Sequence, residues 1–497
     1  MLLVVGQPLL SNDSYQYFSV ASNILGGHGV TTDIPFFESE LRHGVIPAPV
    51  TTAPPGYPIA VAALQALALG PRSAAVVVSI VSGALTVATL GLICRRLQMD
   101  SVVARYVLFA FAANASTLTY SISALSESLF TLLVTVAVLA VLISRRVAGD
   151  RTAYAIAALG GTAAGVATWV RYAGLFVLAG IVLALLIVLA TARTRRAVNS
   201  LLAVVLPAGL IIAPLIARNV LLAGTWQGGN TVAGADGAAR TLLKTAAGLV
   251  RLAGGDGTST VAVVAQVTVA VFAVAVLAKL RNWPRDPDLN VAATVIAVYI
   301  AAIVVAALRS PIDIGARLLF PVLPLIALTG GMLMGRMPKR RPRPAWAALG
   351  VCAYLVAGCT TIDLPYRPPH DGVDQKLAAP LADGSRVRDW LAARIGPEAP
   401  VMAADSQATS YALHRPVVGM SESRYSAFRW DEATIANVMR KYRCRYLILY
   451  PDLDEGSGKT VQSESPFIES LLAGRSVAGF PVATRSREVI VFERRGS

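Results

Sequence analysis

Charge is scarce in this chain. Asp, Glu, Lys and Arg make up only 15% of its 497 residues, where an ordinary soluble domain carries about a quarter. So little charge cannot cover the surface of a soluble protein of this length. Cysteine is equally sparse: Cys94, Cys352 and Cys359 fall in apolar runs, and Cys444 stands apart near the C-terminus. That distribution excludes a disulfide framework and the paired spacings of a zinc site. His28, His43, His370 and His414 share no ligand spacing, so no metal or other cofactor is assigned. Acidic residues are outnumbered 29 to 44, for a net charge of +15. The basic residues nonetheless sit in short clusters between apolar runs, a pattern of membrane topology rather than of a nucleic-acid surface.

What the chain has instead is apolar length. Hydrophobic residues make up 55% and the mean hydropathy is +0.60. They gather into runs of about 20 residues, enough to cross roughly 30 Å of hydrocarbon. Ten complete spans are expected, at roughly 73–94, 102–122, 126–144, 153–170, 174–192, 199–217, 260–279, 289–308, 318–335 and 345–362. The stretches 102–144 and 153–192 would each rise about 60 Å as a helix, which is two crossings. Each has one charge near its middle, Glu127 and Arg171. A charge at the bilayer midplane costs several kcal/mol, so each residue is expected at the tip of a hairpin.

Alternate loops give the orientation. One set carries Arg95, Arg96 and Arg105; Arg145, Arg146 and Arg151; Arg193, Arg195 and Arg196; Lys279, Arg281 and Arg285; and Arg336, Lys339, Arg340, Arg341 and Arg343. The positive-inside rule puts that set in the cytoplasm of a multi-pass inner (plasma) membrane protein. The first ten residues, MLLVVGQPLL, are apolar but too short to span. They read as the end of a further, partial span, or as an interfacial stub. Residues 1–362 are thus expected as a membrane domain with outer loops at 11–72 and 218–259. Residues 363–497 alternate helical patterns with short apolar strands (VMAAD at 401–405, RYLILY at 445–450, EVIVF at 488–492) and read as an extracytoplasmic α/β domain.

On this topology Asp13, Glu127, Arg171, Arg218, Arg309, Asp313 and Arg317 all fall at the outer ends of spans or in outer loops. Four of them are arginines on the side that the charge rule disfavours. Arginine keeps its charge, pairs bidentately with phosphate and tolerates partial burial, so an outer site for an anionic lipid phosphate is expected. The plainer alternative is helix-end arginines snorkelling to headgroups.

Several stretches carry a family resemblance: Asn12-Asp13-Ser14-Tyr15 with Ala21, Ala53-Pro54-Pro55-Gly56-Tyr57-Pro58, Ser126-Glu127-Ser128-Leu129-Phe130, Arg171-Tyr172-Ala173-Gly174, Ala217-Arg218-Asn219 and Arg317-Leu318-Leu319-Phe320-Pro321. In this order, over roughly residues 11–335, the chain resembles the GT-C superfamily of polyprenyl-phosphate-dependent glycosyltransferases. In particular it resembles the branch of bacterial protein O-mannosyltransferases and the lipid A aminoarabinose transferase. The resemblance implies a GT-C-like polytopic α-helical fold and transfer of a sugar, of mannose or arabinose type, from a polyprenyl-phosphate donor. The acceptor would be a glycan, lipid or protein at the outer face, and the reaction would invert the anomeric carbon.

The same resemblance implies residue roles. Asp13 matches the first-loop acidic residue, a catalytic base that takes the acceptor hydroxyl's proton. Its alternative is a helix N-cap before residues 15–25. Many members pair two acids there; Asn12 departs from that pair, and with it from a metal-holding version, although Asp33, Glu38 or Glu40 could supply a second carboxylate. Glu127 matches a second catalytic acidic position, or else a partner for Arg171. Arg218 and Arg317, with Arg171 as a third, match basic positions that hold the donor phosphate. The rival class is a lipid or small-solute transporter or flippase, which calls for repeated halves and ionisable midplane groups; neither is legible. A non-catalytic assembly subunit of the same fold is a third reading.

Overall fold

Charged and capping residues end the helices that the apolar runs form. The computed structural model describes residues 10–229, 237–254, 287–310, 314–335, 381, 385–420, 429–451, 465–477, 479–486 and 488–495. In chain order the elements that matter below are helix α1 (Asn12–Leu25), strand β1 (Thr31–Thr32), α2 (Glu38–Leu41), strand β2 (Ala48–Pro49) and α3 (Gly56–Gln65). Next come α4 (Pro71–Arg96), α5 (Ser101–Ala112), α6 (Ala115–Ile122), α7 (Glu127–Arg146), α8 (Asp150–Val170), α9 (Gly174–Ala192) and α10 (Arg195–Ala223). After these follow α11 (Ala238–Gly254), α12 (Pro287–Arg309), α13 (Ala316–Leu319), α14 (Leu323–Gly335) and α15 (Arg386–Ala392). The remainder is β3 (Val401–Ala403), α16 (Ser406–Leu413), β4 (Val417–Gly419), α17 (Glu432–Lys441), β5 (Tyr446–Leu449), α18 (Pro466–Leu472), β6 (Val482–Arg485) and β7 (Ile490–Glu493).

Among the described residues seven helices are long and apolar enough to cross a membrane, or eight if one bent pair is a single span. The protein is a polytopic α-helical membrane protein. Expected spans at 260–279 and 345–362 lie outside the described residues, as do residues 1–9. One expected span, 102–122, is broken into two helices, α5 and α6, bent by 54°. The break is at Asn114, whose side chain accepts the Thr117 N–H at 3.2 Å and caps α6. An asparagine offers the backbone this alternative to the helical ladder.

The chain divides into two compact units. The first takes the described residues within 75–215 and 235–366. Within it α7 packs on α8, α9 on α12, and α5 on α14. Arg145 and Arg146 close α7, where basic charge suits the negative end of the helix dipole. Arg146 Nη2 reaches Asp288 Oδ2 in the first turn of α12 at 2.6 Å.

The second unit takes the described residues within 10–74, 216–234 and 367–497. Its sheet runs β4-β3-β5-β7-β6, with β3 parallel to β4 and β5, and β7 antiparallel to β5 and β6. The three expected strands are β3, β5 and β7. The short strands β4 and β6 carry no clear alternation and escape a sequence reading. Loop residues 33–35 cover the edge strand: the Val417 N–H donates to Asp33 O at 3.1 Å and the Gly419 N–H to Pro35 O at 2.8 Å. An uncovered edge would be a template for pairing with another chain. Leu41 enters the same core as Met402, Val418, Trp430, Leu447 and Phe492, a burial that contributes about 1.5–3 kcal/mol. Lys441 Nζ donates to the Leu41 and Arg42 carbonyls, and the Tyr442 hydroxyl to Glu40 O. The loop 11–72, although remote in sequence, thus folds with the C-terminal α/β chain.

Candidate active site

Glu127 is the first residue of α7, where a carboxylate suits the positive end of the helix dipole. Its side chain is fully buried, and a buried carboxylate persists only when paired. The pairing comes from two breaks far along the chain. Arg171 lies between α8 and α9 in an extended conformation, and the Gly174 N–H closes its turn on the Arg171 carbonyl at 2.8 Å. A Cβ on Gly174 would meet Thr168 N at 2.4 Å, so only glycine fits there. From this turn Arg171 Nη1 donates to Glu127 Oε1 at 2.7 Å and to Ser126 Oγ at 3.0 Å.

The second partner is Arg317 on α13, whose Nε donates to the same Glu127 oxygen. Tyr299 of α12 holds α13 in place by donating its hydroxyl to Leu318 O at 2.9 Å. Phe320, next in line, packs on Tyr120 at 4.8 Å between ring centroids. The trio of one carboxylate and two guanidiniums carries a net charge of +1. While Glu127 is buried, the Arg171 and Arg317 side chains are 19% and 34% exposed. Such a pair can present further N–H groups to the oxygens of a phosphate. Ser126 and Tyr299 escape the sequence reading. For Tyr299 the one signal was a hydroxyl inside an apolar run, where it must find a partner.

Asp13 and Arg218 belong to the second unit. Asp13 is exposed in the first turn of α1. It is not the N-cap: Ser11 holds that position, and its N–H donates to Ser14 Oγ at 3.0 Å. Arg218 donates from Nη1 to Val50 O at 2.7 Å and from Nη2 to Val30 O at 3.0 Å. Its fork thereby closes the end of the β1–β2 ribbon, a structural use that the sequence did not reveal.

The three further carboxylates separate clearly. Asp33 Oδ1 accepts from Asn23 Nδ2 at 3.3 Å, and burial pushes its carboxyl above the usual range. Asn23 lies ten residues beyond Asp13 on α1, roughly 15 Å along the axis, so Asp33 and Asp13 do not form a close pair. Glu38 pairs with Arg42 one helical turn on. Glu40 is fully buried: Oε2 accepts the Phe36 and Phe37 N–H groups at 2.9 and 3.2 Å, and Oε1 the Thr52 hydroxyl at 3.0 Å. Burial pushes its carboxyl up to about 7. Arg309 ends α12, and Asp313 lies outside the described residues.

No protein-family model and no curated protein matches the chain in sequence. Solved structures do match in fold. ArnT from Cupriavidus metallidurans aligns in its apo state with a TM-score of 0.62 at 12% identity, over 98% of this chain and 94% of that one. The same protein bound to undecaprenyl phosphate aligns with a TM-score of 0.59 at 13% identity, over 99% and 95%. The Archaeoglobus fulgidus oligosaccharyltransferase tethered to an acceptor peptide gives 0.58 at 14% identity, over 98% of this chain and 70% of that one. The mycobacterial arabinofuranosyltransferase AftD gives 0.52 at 14%, over 98% and 40%. What these proteins share with the chain at such identities is the fold.

Proposed function

We propose that the protein is a membrane glycosyltransferase that moves a sugar from a polyprenyl-phosphate carrier to an acceptor hydroxyl on the extracytoplasmic face of the plasma membrane. The observation that carries this reading is the sharing of one buried carboxylate, Glu127, by two partly exposed arginines. ArnT, which shares the fold, has been solved with undecaprenyl phosphate bound. A lipid-borne donor also suits an outward-facing enzyme, because nucleotide sugars stay in the cytoplasm.

In this reading Arg171 and Arg317 hold the donor phosphate and offset the charge that builds on it as the glycosidic bond breaks. Glu127 serves by anchoring both guanidiniums. Asp13 takes the proton of the acceptor hydroxyl. The acceptor oxygen forms its bond to the anomeric carbon with inversion, and polyprenyl phosphate leaves with the electron pair of the broken C–O bond. Arg218 supports the first loop. The sugar is of mannose or arabinose type, and the acceptor is a glycan, lipid or protein.

The test is transfer from a panel of radiolabelled polyprenyl-phosphate sugars in proteoliposomes, for the intact protein and for Asp13→Ala. Transfer from one donor that vanishes in the variant supports the assignment. Full transfer by a folded Asp13→Ala protein removes Asp13 from the role of base. Absence of transfer from every donor, with movement of lipid or solute across the vesicle, would favour the transporter class instead.

A further inference from the structure

The short turn between α16 and β4 holds one side chain whose charge the fold leaves unbalanced. His414 takes the left-handed conformation that ends α16 and reverses the chain. The next two residues are then fixed through their carbonyls. Ser410 Oγ donates to Arg415 O at 2.8 Å, and the Val401 N–H at the start of β3 donates to Pro416 O at 3.3 Å. The backbone is therefore tied down at the point from which the Arg415 side chain starts.

Arg415 is 8% exposed, and its Nε and Nη1 are buried with no hydrogen-bond partner among the described residues. The charge that reaches it is the Arg388 guanidinium of α15, which has the same sign. Burial, together with that neighbour, holds the Arg415 guanidinium below its ordinary range. Arginine nonetheless keeps its proton in proteins, and a buried charge persists only when paired. Glu40, Glu127 and Asp288, the other charged residues buried to this degree among the described ones, all have partners. Arg415 is the exception, and what it lacks is an anion.

We propose that Arg415, with Arg388 beside it, is a binding site for a phosphate group, either free inorganic phosphate or the phosphate of a phosphorylated glycan. A phosphate brings three strong acceptor oxygens, enough for both open nitrogens of Arg415 and for a contact to Arg388; a carboxylate has two. Guanidinium donors meet such oxygens in short, charge-assisted bonds. The small part of Arg415 that stays exposed is the side from which the group reaches it. Both arginines belong to the second unit. The site uses none of Glu127, Arg171 and Arg317, so it stands independently of the donor-phosphate reading above.

The test is amide exchange of the full chain in maltoside micelles, with inorganic phosphate compared against chloride at matched ionic strength. Phosphate should slow exchange across α15 and residues 410–417. In Arg415→Met the same protection should need roughly 10- to 100-fold more phosphate, the loss expected for a charge-assisted contact. Arg415→Lys, which keeps the charge but not the planar donors, should fall between the two. Arg317→Ala should leave the response intact. Unchanged exchange in β5 and β7 reports that a variant is folded; if Arg415→Met is not, Arg388→Gln should weaken the phosphate response in its place. Native protein in which phosphate leaves both segments unchanged would overturn the proposal, and so would protection that persists undiminished in a folded Arg415→Met. Equal protection by acetate would overturn the assignment to phosphate. Mannose 6-phosphate that acts at about a tenth of the inorganic phosphate concentration, or less, would make the ligand a phosphorylated glycan; equal or weaker action would make it the free ion.

Discussion

Arg171 Nη1 lies 2.7 Å from Glu127 Oε1, although 44 residues separate the two in sequence. The carboxylate is fully buried and the arginine is not. Removing either partner is therefore asymmetric. Glu127→Ala leaves two guanidiniums side by side without their anion, whereas Arg171→Ala leaves Glu127 paired with Arg317. Breaking a buried pair from its charged partner costs about 3–5 kcal/mol. We expect Glu127→Ala to lie at the top of that range and Arg171→Ala below it, measured as unfolding free energy in detergent or bicelles. Equal losses would mean that the two arginines do not share the carboxylate.

Arg317 combines an ion pair with partial exposure, so its variants should separate charge from geometry. Arg317→Lys keeps the charge but loses the planar donor fork. A charge-assisted hydrogen bond contributes about 1.5–3 kcal/mol, which converts to roughly 10- to 100-fold in affinity. Steady-state kinetics should show KM for the lipid-linked donor rising about tenfold for Arg317→Lys and more for Arg317→Ala. An unchanged KM with a reduced kcat would place Arg317 away from the donor's ground-state binding.

The fork of Arg218 on Val30 O and Val50 O makes a different prediction. Arg218→Met strands two partly buried carbonyls, at about 1–3 kcal/mol. Limited proteolysis and amide exchange should find residues 30–50 opened in the variant while α7–α9 stay protected. An Arg218→Met protein with an intact ribbon and a weakened donor KM would restore the phosphate-binding role.

Glu40 links pH to the stability of the second unit. Burial raises its carboxyl from 4.5 to about 7, so the folded chain holds a proton that the unfolded chain releases between those values. The contribution is complete below about pH 4.5 and is lost as pH rises through about 7, amounting to about 3 kcal/mol. Asp405, raised by burial to about 6, acts in the same direction. In Glu40→Gln the backbone N–H groups of Phe36 and Phe37 keep an acceptor and Thr52 can turn to accept. The melting temperature of the variant should therefore fall less between pH 5 and 8 than that of the native protein (a window taken to bracket the titration). Parallel curves would show that Glu40 does not titrate there.

Much of this architecture is legible in one dimension. Hydrocarbon thickness fixes how many apolar residues make a crossing, and the cost of a midplane charge forces a break at Glu127 and at Arg171. Both breaks stand where that argument puts them: Glu127 opens α7 and Arg171 follows α8. The strands β3, β5 and β7 are visible because short apolar runs bounded by helices have few other folds.

Sequence left Glu127 open as a partner for Arg171, and tertiary structure decided which other outlying charges join them. Arg171 and Arg317 share one carboxylate, while Arg218, of the same type and read from the same kind of motif, turns to backbone carbonyls. No local pattern separates them, because an arginine's partner depends on what three-dimensional packing brings within hydrogen-bond reach. Likewise Ser11 rather than Asp13 caps α1, a matter of one residue's backbone angle. The loop 11–72 reads as an appendage of the membrane helices, yet its residues 33–35 and Leu41 complete the sheet and core of the C-terminal chain. Sequence determines where a buried charge is intolerable; only the folded chain supplies the neighbour that makes it tolerable.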